Sequence, residues 1–159
     1  MSDDLTPTKP QLVDSLSAKV EAFRQDPRSS EQYRDLKEAL RQANQGAQLA
    51  EMAELHAAHL NDPRRAAGIL VEAGATRLRV GQASEGERDL REALALDPSS
   101  EQASTRLSEH FIARGRFAEA AAVIEAELET LAQLAESEDR KSTRLNSSHL
   151  RQSRMPSSA

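Results

Sequence analysis

Residues Ala67–Ser100 read AGILVEAGATRLRVGQASEGERDLREALALDPSS, and the punctuation of that stretch decides the fold. A glycine at 81 divides two runs whose apolar residues recur every three to four positions, the spacing of a helix face. The stretch closes on Asp97-Pro98. Proline fixes its own φ and disfavours helical geometry in the residue before it, so Asp-Pro predicts a helix end. The same dipeptide occurs at Asp26-Pro27 and Asp62-Pro63, and DPRSSEQ at 26–32 nearly repeats DPSSEQ at 97–102. Ser29 and Ser99 stand three residues before Gln32 and Gln102, the spacing of a capping box that opens the following helix. Gly46, Gly81 and Gly115 lie between the prolines and are expected to stop one helix before the next begins. Self-similarity at about 34–36 residues predicts a repeat architecture.

Outward from that unit, the apolar spacing predicts seven helices. Leu12, Leu16, Val20 and Phe23 line the first, and Tyr33, Leu36, Leu40 and Ala43 the second. Leu49, Met52 and Leu55 line the third; Ile69, Leu70, Ala73 and Leu78 the fourth; Leu90, Ala93, Leu94 and Leu96 the fifth. Leu107, Phe111 and Ile112 mark the sixth, and Phe117, Ala120, Val123, Ile124, Leu128 and Leu131 the seventh. No stretch of useful length alternates with period two, so no strand is expected. Each antiparallel pair leaves an apolar face for the next to bury, and helices approach closely only where facing positions are small, as at Gly74, Ala93 and Ala120.

These columns resemble the tetratricopeptide repeat family. In Ala67–Ser100, Leu70, Gly74, Gly86, Leu90, Ala93 and Pro98 occupy the family's positions, and Arg77 departs where an apolar residue is preferred. The unit from Glu101 matches through Leu107, Ser108, Phe111, Gly115, Ala120 and Ile124, and departs at Ser104 and Glu127. The earlier units are degenerate: Glu51 replaces a small residue, and Ala22 takes the small position of a lone second helix. The resemblance covers about residues 10–134. It implies an all-α, right-handed solenoid of antiparallel helix pairs, about three units plus an N-terminal helix.

Residues 139–159 break the pattern. DRKSTRLNSSH at 139–149 and SRMPSSA at 153–159 resemble an in-frame translation of a common short-read sequencing adapter. The expected organisation is a disordered N-terminus at 1–9, a repeat domain at 10–138 interrupted at its C-terminal end, and an artefactual disordered tail at 139–159. On that reading Ile124, Leu128, Leu131 and Leu134 face a missing neighbour, and the last helix frays or self-associates. The whole chain of 159 residues carries 21 Lys+Arg against 26 Asp+Glu, a net charge of −5. The tail holds five basic residues and one acidic residue; without it the balance is 16 against 25, or −9. Such acidity argues against a partner bound through its phosphate backbone, so no nucleic acid is expected. No membrane partner is expected either, because apolar runs fall far short of ~20 residues. No secretory signal is visible in Met1–Asp4, so a cytoplasmic location is expected.

Candidate chemistry is sparse. Cysteine is absent, which removes thiol catalysis, disulfides and Cys-based metal sites. His56 and His59 share a helix face near Glu54 and Asp62, but a metal site needs at least three ligands with support behind them. His59 aligns with Phe23, Leu94 and Leu128, so it is expected to pack in part. No metal and no cofactor are expected, and no nucleophile–base pair can be nominated, so no catalysis is expected within 1–138. Arg64, Arg65, Arg77 and Arg79 bracket the fourth helix, while Glu125, Glu127, Glu129 and Glu136 load the seventh. Ordinary solvated surface is the preferred reading of these charges; the other is a polarised groove.

The resemblance implies a protein or peptide partner held in a groove lined by the first helix of each pair. The matching positions are Gly68, Val71, Ala75, Leu78 and Arg79, then Gln102, Thr105, Glu109, Ile112 and Ala113. Val71 and Ala75 stand where chaperone-binding members carry Lys and Asn, so no clamp for a terminal carboxylate is implied. The expected function is a protein–protein interaction scaffold. The alternatives are a regulatory arm of an enzyme whose catalytic domain lies beyond residue 138, and a self-assembling rod.

Overall fold

The computed structural model describes residues 9–152, with side chains over 15–144. Seven helices follow one another: α1 (Lys9–Gln25), α2 (Ser30–Gln42), α3 (Gly46–Ala58), α4 (Pro63–Arg79), α5 (Ala83–Leu96), α6 (Glu101–Ala113) and α7 (Phe117–Gln152). There is no strand among the described residues. The main contacts run between successive helices, and α4 also touches α6. The chain is therefore an all-α stack of antiparallel helix pairs, as the repeat period predicts.

Three turns with the same hydrogen-bond pattern close the pairs α2–α3, α4–α5 and α6–α7. In each, the residue two past the helix cap donates back to a carbonyl five residues earlier: Gln45 to Leu40, Gln82 to Arg77, Arg116 to Phe111. The preceding residue takes a left-handed φ, 86° at Gly81 and 70° at Gly115. In the first pair that residue is Asn44, at φ 55°, and Gly46 is already the first residue of α3. Gly46 is thus not a helix stop; the short Asn side chain tolerates the left-handed conformation in its place.

The Asp-Pro steps divide in two. Asp26-Pro27 and Asp97-Pro98 follow α1 and α5 as expected. Asp62-Pro63 instead starts α4: Asp62 caps it, accepting from the Arg64 and Arg65 N–H groups, and Pro63 opens the first turn. Ser29 caps α2 by accepting from Gln32 N–H, as its spacing predicts. Ser99 does not cap α6. DPSSEQ is one residue shorter than DPRSSEQ, so Ser100 becomes the cap residue, and Ser99 donates its N–H and hydroxyl to Asp97.

Two apolar clusters hold the stack. Val20, Phe23, Tyr33, Leu36, Leu40, Leu49 and Met52 fill the first; Leu70, Val71, Leu90, Ala93, Leu107, Phe111 and Ala120 fill the second. Ile69 on α4 packs against both. The closest backbone approach joins α4 to α5. A Cβ on Gly74 would stand 2.8 Å from Leu90 Cγ and 3.0 Å from the Gly86 carbonyl oxygen; one on Gly86 would stand 2.9 Å from the Gly74 carbonyl oxygen. Ala22, by contrast, is exposed on α1, so that helix needs no small residue there.

The α7 helix does not end where the adapter-like segment starts. Residues 139–152 continue α7 as helix. No Gly or Pro interrupts 117–155, Arg140 pairs with Glu136, and the hydroxyls of Ser137 and Thr143 donate to carbonyls one turn back. Residues 153–159 of the tail and 1–8 of the N-terminus lie outside the described residues, and Lys9 is helical.

The glycine crossing gives a paired test. Gly74→Val is expected to destabilise the chain by about 1–3 kcal/mol through overpacking against α5. Gly68→Ala, on the same helix with nothing within 4 Å, is expected to gain up to ~1 kcal/mol from helix propensity. Urea unfolding of both variants checks the pair, and equal shifts would dissociate the fold from this contact.

Candidate functional site

Two clefts open along the edge formed by α2, α4 and α6. The first, of about 570 Å³, is lined by Leu40, Arg41, Asn44, Gly46, Leu49, Thr76, Arg79 and Val80. The second, of about 330 Å³, is lined by Ala75, Leu78, Arg79, Arg106, Glu109 and His110. Arg79 lines both. It leaves the last turn of α4 and donates to the Thr76 hydroxyl at 3.1 Å.

Of the groove residues expected from sequence, Ala75, Leu78, Arg79 and Glu109 meet in the second cleft. Val71 does not: it is 2% exposed inside the second core, packed away because α4 is covered on both flanks. Thr105 is exposed on α6, as is Ile112 at 49%, but they line neither cleft. Arg106 and His110 were not singled out by sequence, although the former lies one turn before Glu109 and the latter beside it. His110 is not free, since its Nε2–H donates to Glu87 at 3.1 Å.

The four arginines that bracket α4 have different fates. Arg64 is exposed, and Arg65 reaches the Ser30 hydroxyl. Arg77 is not solvated surface at all. It is buried, donating to Glu54 of α3 at 2.6 Å while its Nε lies 3.4 Å from Asp89 of α5. Arg88 pairs with Glu54 as well and with Asp89 at 3.3 Å. Asp89 is fully buried, at 0% exposure. Burial first, and the neighbouring Glu54 next, push the Asp89 carboxyl up to about 7 against the pull of Arg77 and Arg88. Burial also acts to raise Glu54, but the hydrogen bond from Asp89 and the two guanidinium groups hold it below the usual carboxylate range. The two acids are thus pushed in opposite directions, Asp89 up and Glu54 down, where three helices meet.

A second polar knot ties α5, α6 and α7. Glu87 accepts from Arg116 at 2.7 Å and from His110, while Arg116 pairs with Glu119 and lies 4.4 Å above the Phe111 ring. Each knot includes a pair of side chains 23 or more residues apart, which a one-dimensional period does not register.

The histidines exchange roles relative to the sequence reading. His59 caps the C-terminus of α3 and is exposed, with its Nδ1 donating to the Leu55 carbonyl. His56 is the packing residue: it stacks on Tyr33 at 4.4 Å and donates from Nδ1 to the Pro27 carbonyl at 2.6 Å. The α3 helix ends at Ala58, so only His56 still points inward from a regular turn. Among the described residues no three His, Cys, Asp or Glu gather as metal ligands, and no helix is long and apolar enough to cross a membrane.

No family model matches the chain, and no curated protein matches it. It is similar to a solved structure described as the crystal structure of MamA, at 15% identity and a TM-score of 0.37, over 86% of this chain and 98% of that one. The helix-pair stack rests on the contacts and turns above.

The raised Asp89 carboxyl makes stability depend on pH. An unfolded Asp releases its proton near 4, whereas folded Asp89 keeps it to about 7. The folded state therefore binds more protons between those values, and the contribution of Asp89 to stability is lost as pH rises from about 4 through 7. Asp89→Asn is expected to flatten that decline, measured as urea midpoints at pH 5 and pH 8. An undiminished slope in the variant would remove Asp89 as its source.

Proposed function

We propose that this chain is a protein–protein interaction module that holds a peptide, extended or helical, against the α2–α4–α6 edge. The observation that carries this is the convergence of Ala75, Leu78 and Arg79 of one helix with Glu109 of another, 30 or more residues away in sequence, on one cleft. Apolar and charged groups side by side suit a segment that buries some side chains and orients others. Support also comes from the tetratricopeptide-like columns, whose known use is partner binding. The module acts without cofactor or metal, in the cytoplasm, and the fold alone names no partner.

Filling the cleft tests this. Ala75→Trp, placed on a half-buried position, is expected to weaken peptides selected against the wild-type chain at least tenfold. Glu92→Ala, on the exposed face of α5, is expected to leave them unchanged. Peptides indifferent to Ala75→Trp would place the interaction elsewhere.

A second use is favoured by α7. Ile124, Leu128, Leu131 and Leu134 form an exposed stripe, with Leu128 at 61% exposure. Their counterparts one unit earlier include Leu90, which is fully buried in the second core. Self-association through this stripe follows from the same apolar driving force. Sedimentation velocity is expected to show concentration-dependent mass that Leu128→Glu abolishes. A monomer with strong amide-exchange protection through 120–135 would refute it.

A further inference from the structure

We propose that Arg41, Arg79 and Arg106 form a reader for an acidic internal protein segment laid across α2, α4 and α6. The inference rests on the peptide-binding reading above and specifies the chemistry of its partner.

Three observations carry it. First, the three arginines come one from each helix of the edge, and Arg79 lines both clefts. Second, they are the arginines left uncommitted there. Arg24, Arg77, Arg88, Arg91 and Arg116 are all engaged with carboxylates, whereas among the described residues Arg41 and Arg106 are exposed and have no ion-pair partner, and Arg79 meets only the Thr76 hydroxyl. Third, the charge of the edge opposes that of the chain. The two clefts hold three arginines against the single carboxylate of Glu109, in a protein of net charge −5. An exposed guanidinium left unpaired in an acidic protein is available to a ligand carboxylate, which it grips with two parallel N–H donors.

A nucleic acid would meet the same arginines but also the net negative charge of the chain, which opposes its continuous phosphate charge. A peptide can place its carboxylates at the arginines and neutral residues between them. A peptide in the polyproline II conformation has about three residues per turn and rises about 3.1 Å per residue, so acidic side chains at every third residue share one face about 9 Å apart. Nothing in this arrangement requires a free chain terminus.

Fluorescence anisotropy on the full chain tests it, with a labelled, C-terminally amidated twelve-residue peptide carrying Glu at every third position between alanines. The Gln counterpart is expected to bind at least tenfold more weakly, and rising salt to weaken the Glu peptide. Arg79→Glu and the double variant Arg41→Ala/Arg106→Ala are each expected to lose at least tenfold for the Glu peptide. Arg64→Ala, at an exposed arginine outside the clefts, is expected to lose nothing. All these positions are exposed, and circular dichroism verifies that the variants keep their helices.

Equal binding of the Glu and Gln peptides, with both weakened by Ala75→Trp, would overturn the arginine reader and leave the peptide groove standing. No binding of either peptide, or binding indifferent to Ala75→Trp, would overturn the reader, and indifference would remove the groove as well. Binding that needs a free C-terminal carboxylate, or tighter binding of an oligothymidine of the same charge, would also overturn the proposal.

Discussion

The crossing of α4 and α5 at Gly74 and Gly86 is the constraint on which the rest depends. At that point a Cβ on either glycine would stand within 3.0 Å of the other's carbonyl oxygen, so backbone meets backbone. Such an approach draws the pair together over its length, which lets Leu90 sit against Gly74 and Leu78 against Gly86. With α5 held there, Arg77 reaches both Glu54 behind it and Asp89 across from it. The same placement sets the last turn of α4, and Arg79 with it, between the two clefts. Dispersion contacts are weak individually but numerous at close range, so a spacing gained at one crossing is felt along both helices.

Buried charge does a different job from apolar packing here. Replacing a buried ion pair by apolar residues is often neutral or stabilising, so the Glu54–Arg77–Asp89 knot is poor evidence for added stability. Its geometry is more demanding than its energy. A leucine in place of Arg77 would accept several registers of α3 against α5; a guanidinium with one carboxylate on each side accepts far fewer. Glu87 and Arg116 impose the same kind of condition on α5, α6 and α7. Consecutive pairs are thus stacked by apolar contact and indexed by charge. This suits a solenoid, in which each unit meets only its neighbours and an error of register would propagate.

Much of the stack is legible in the sequence because helices, turns and repeat period are local properties. The seven apolar stripes fall within the seven helices save Ala43, one residue past the end of α2, and Gly74, Ala93 and Ala120 are buried. The misreadings come from small changes of phase. One residue fewer in DPSSEQ moves the cap from Ser99 to Ser100, and Asn44 takes the left-handed position that glycine fills in later turns. Ending α3 at Ala58 transfers the packing role from His59 to His56. Arg77 looked like a departure from an apolar column because its partners lie 23 and 12 residues away in sequence, on other helices. Their complementarity exists only once α3, α4 and α5 are in place.

The candidate groove was legible in part for a related reason. A helix in a stack has three environments: its own partner, the neighbouring pairs, and the open edge. Period alone separates buried from exposed but does not divide the buried face among neighbours. Val71 and Ala75 lie one turn apart, so sequence assigns them the same edge; the structure gives Val71 to the core with Leu107 and Phe111 and leaves Ala75 at the cleft. The edge therefore begins later along α4 than the repeat columns imply. That shift moves the binding surface toward the α4 C-terminus, where Leu78, Arg79 and Val80 stand, and so toward basic rather than apolar character. The charge of Arg79 matters there because the carbonyls of the last helical turn carry partial negative charge. A guanidinium in that turn is favoured by the helix that bears it, and it stays available to a carboxylate brought by a partner.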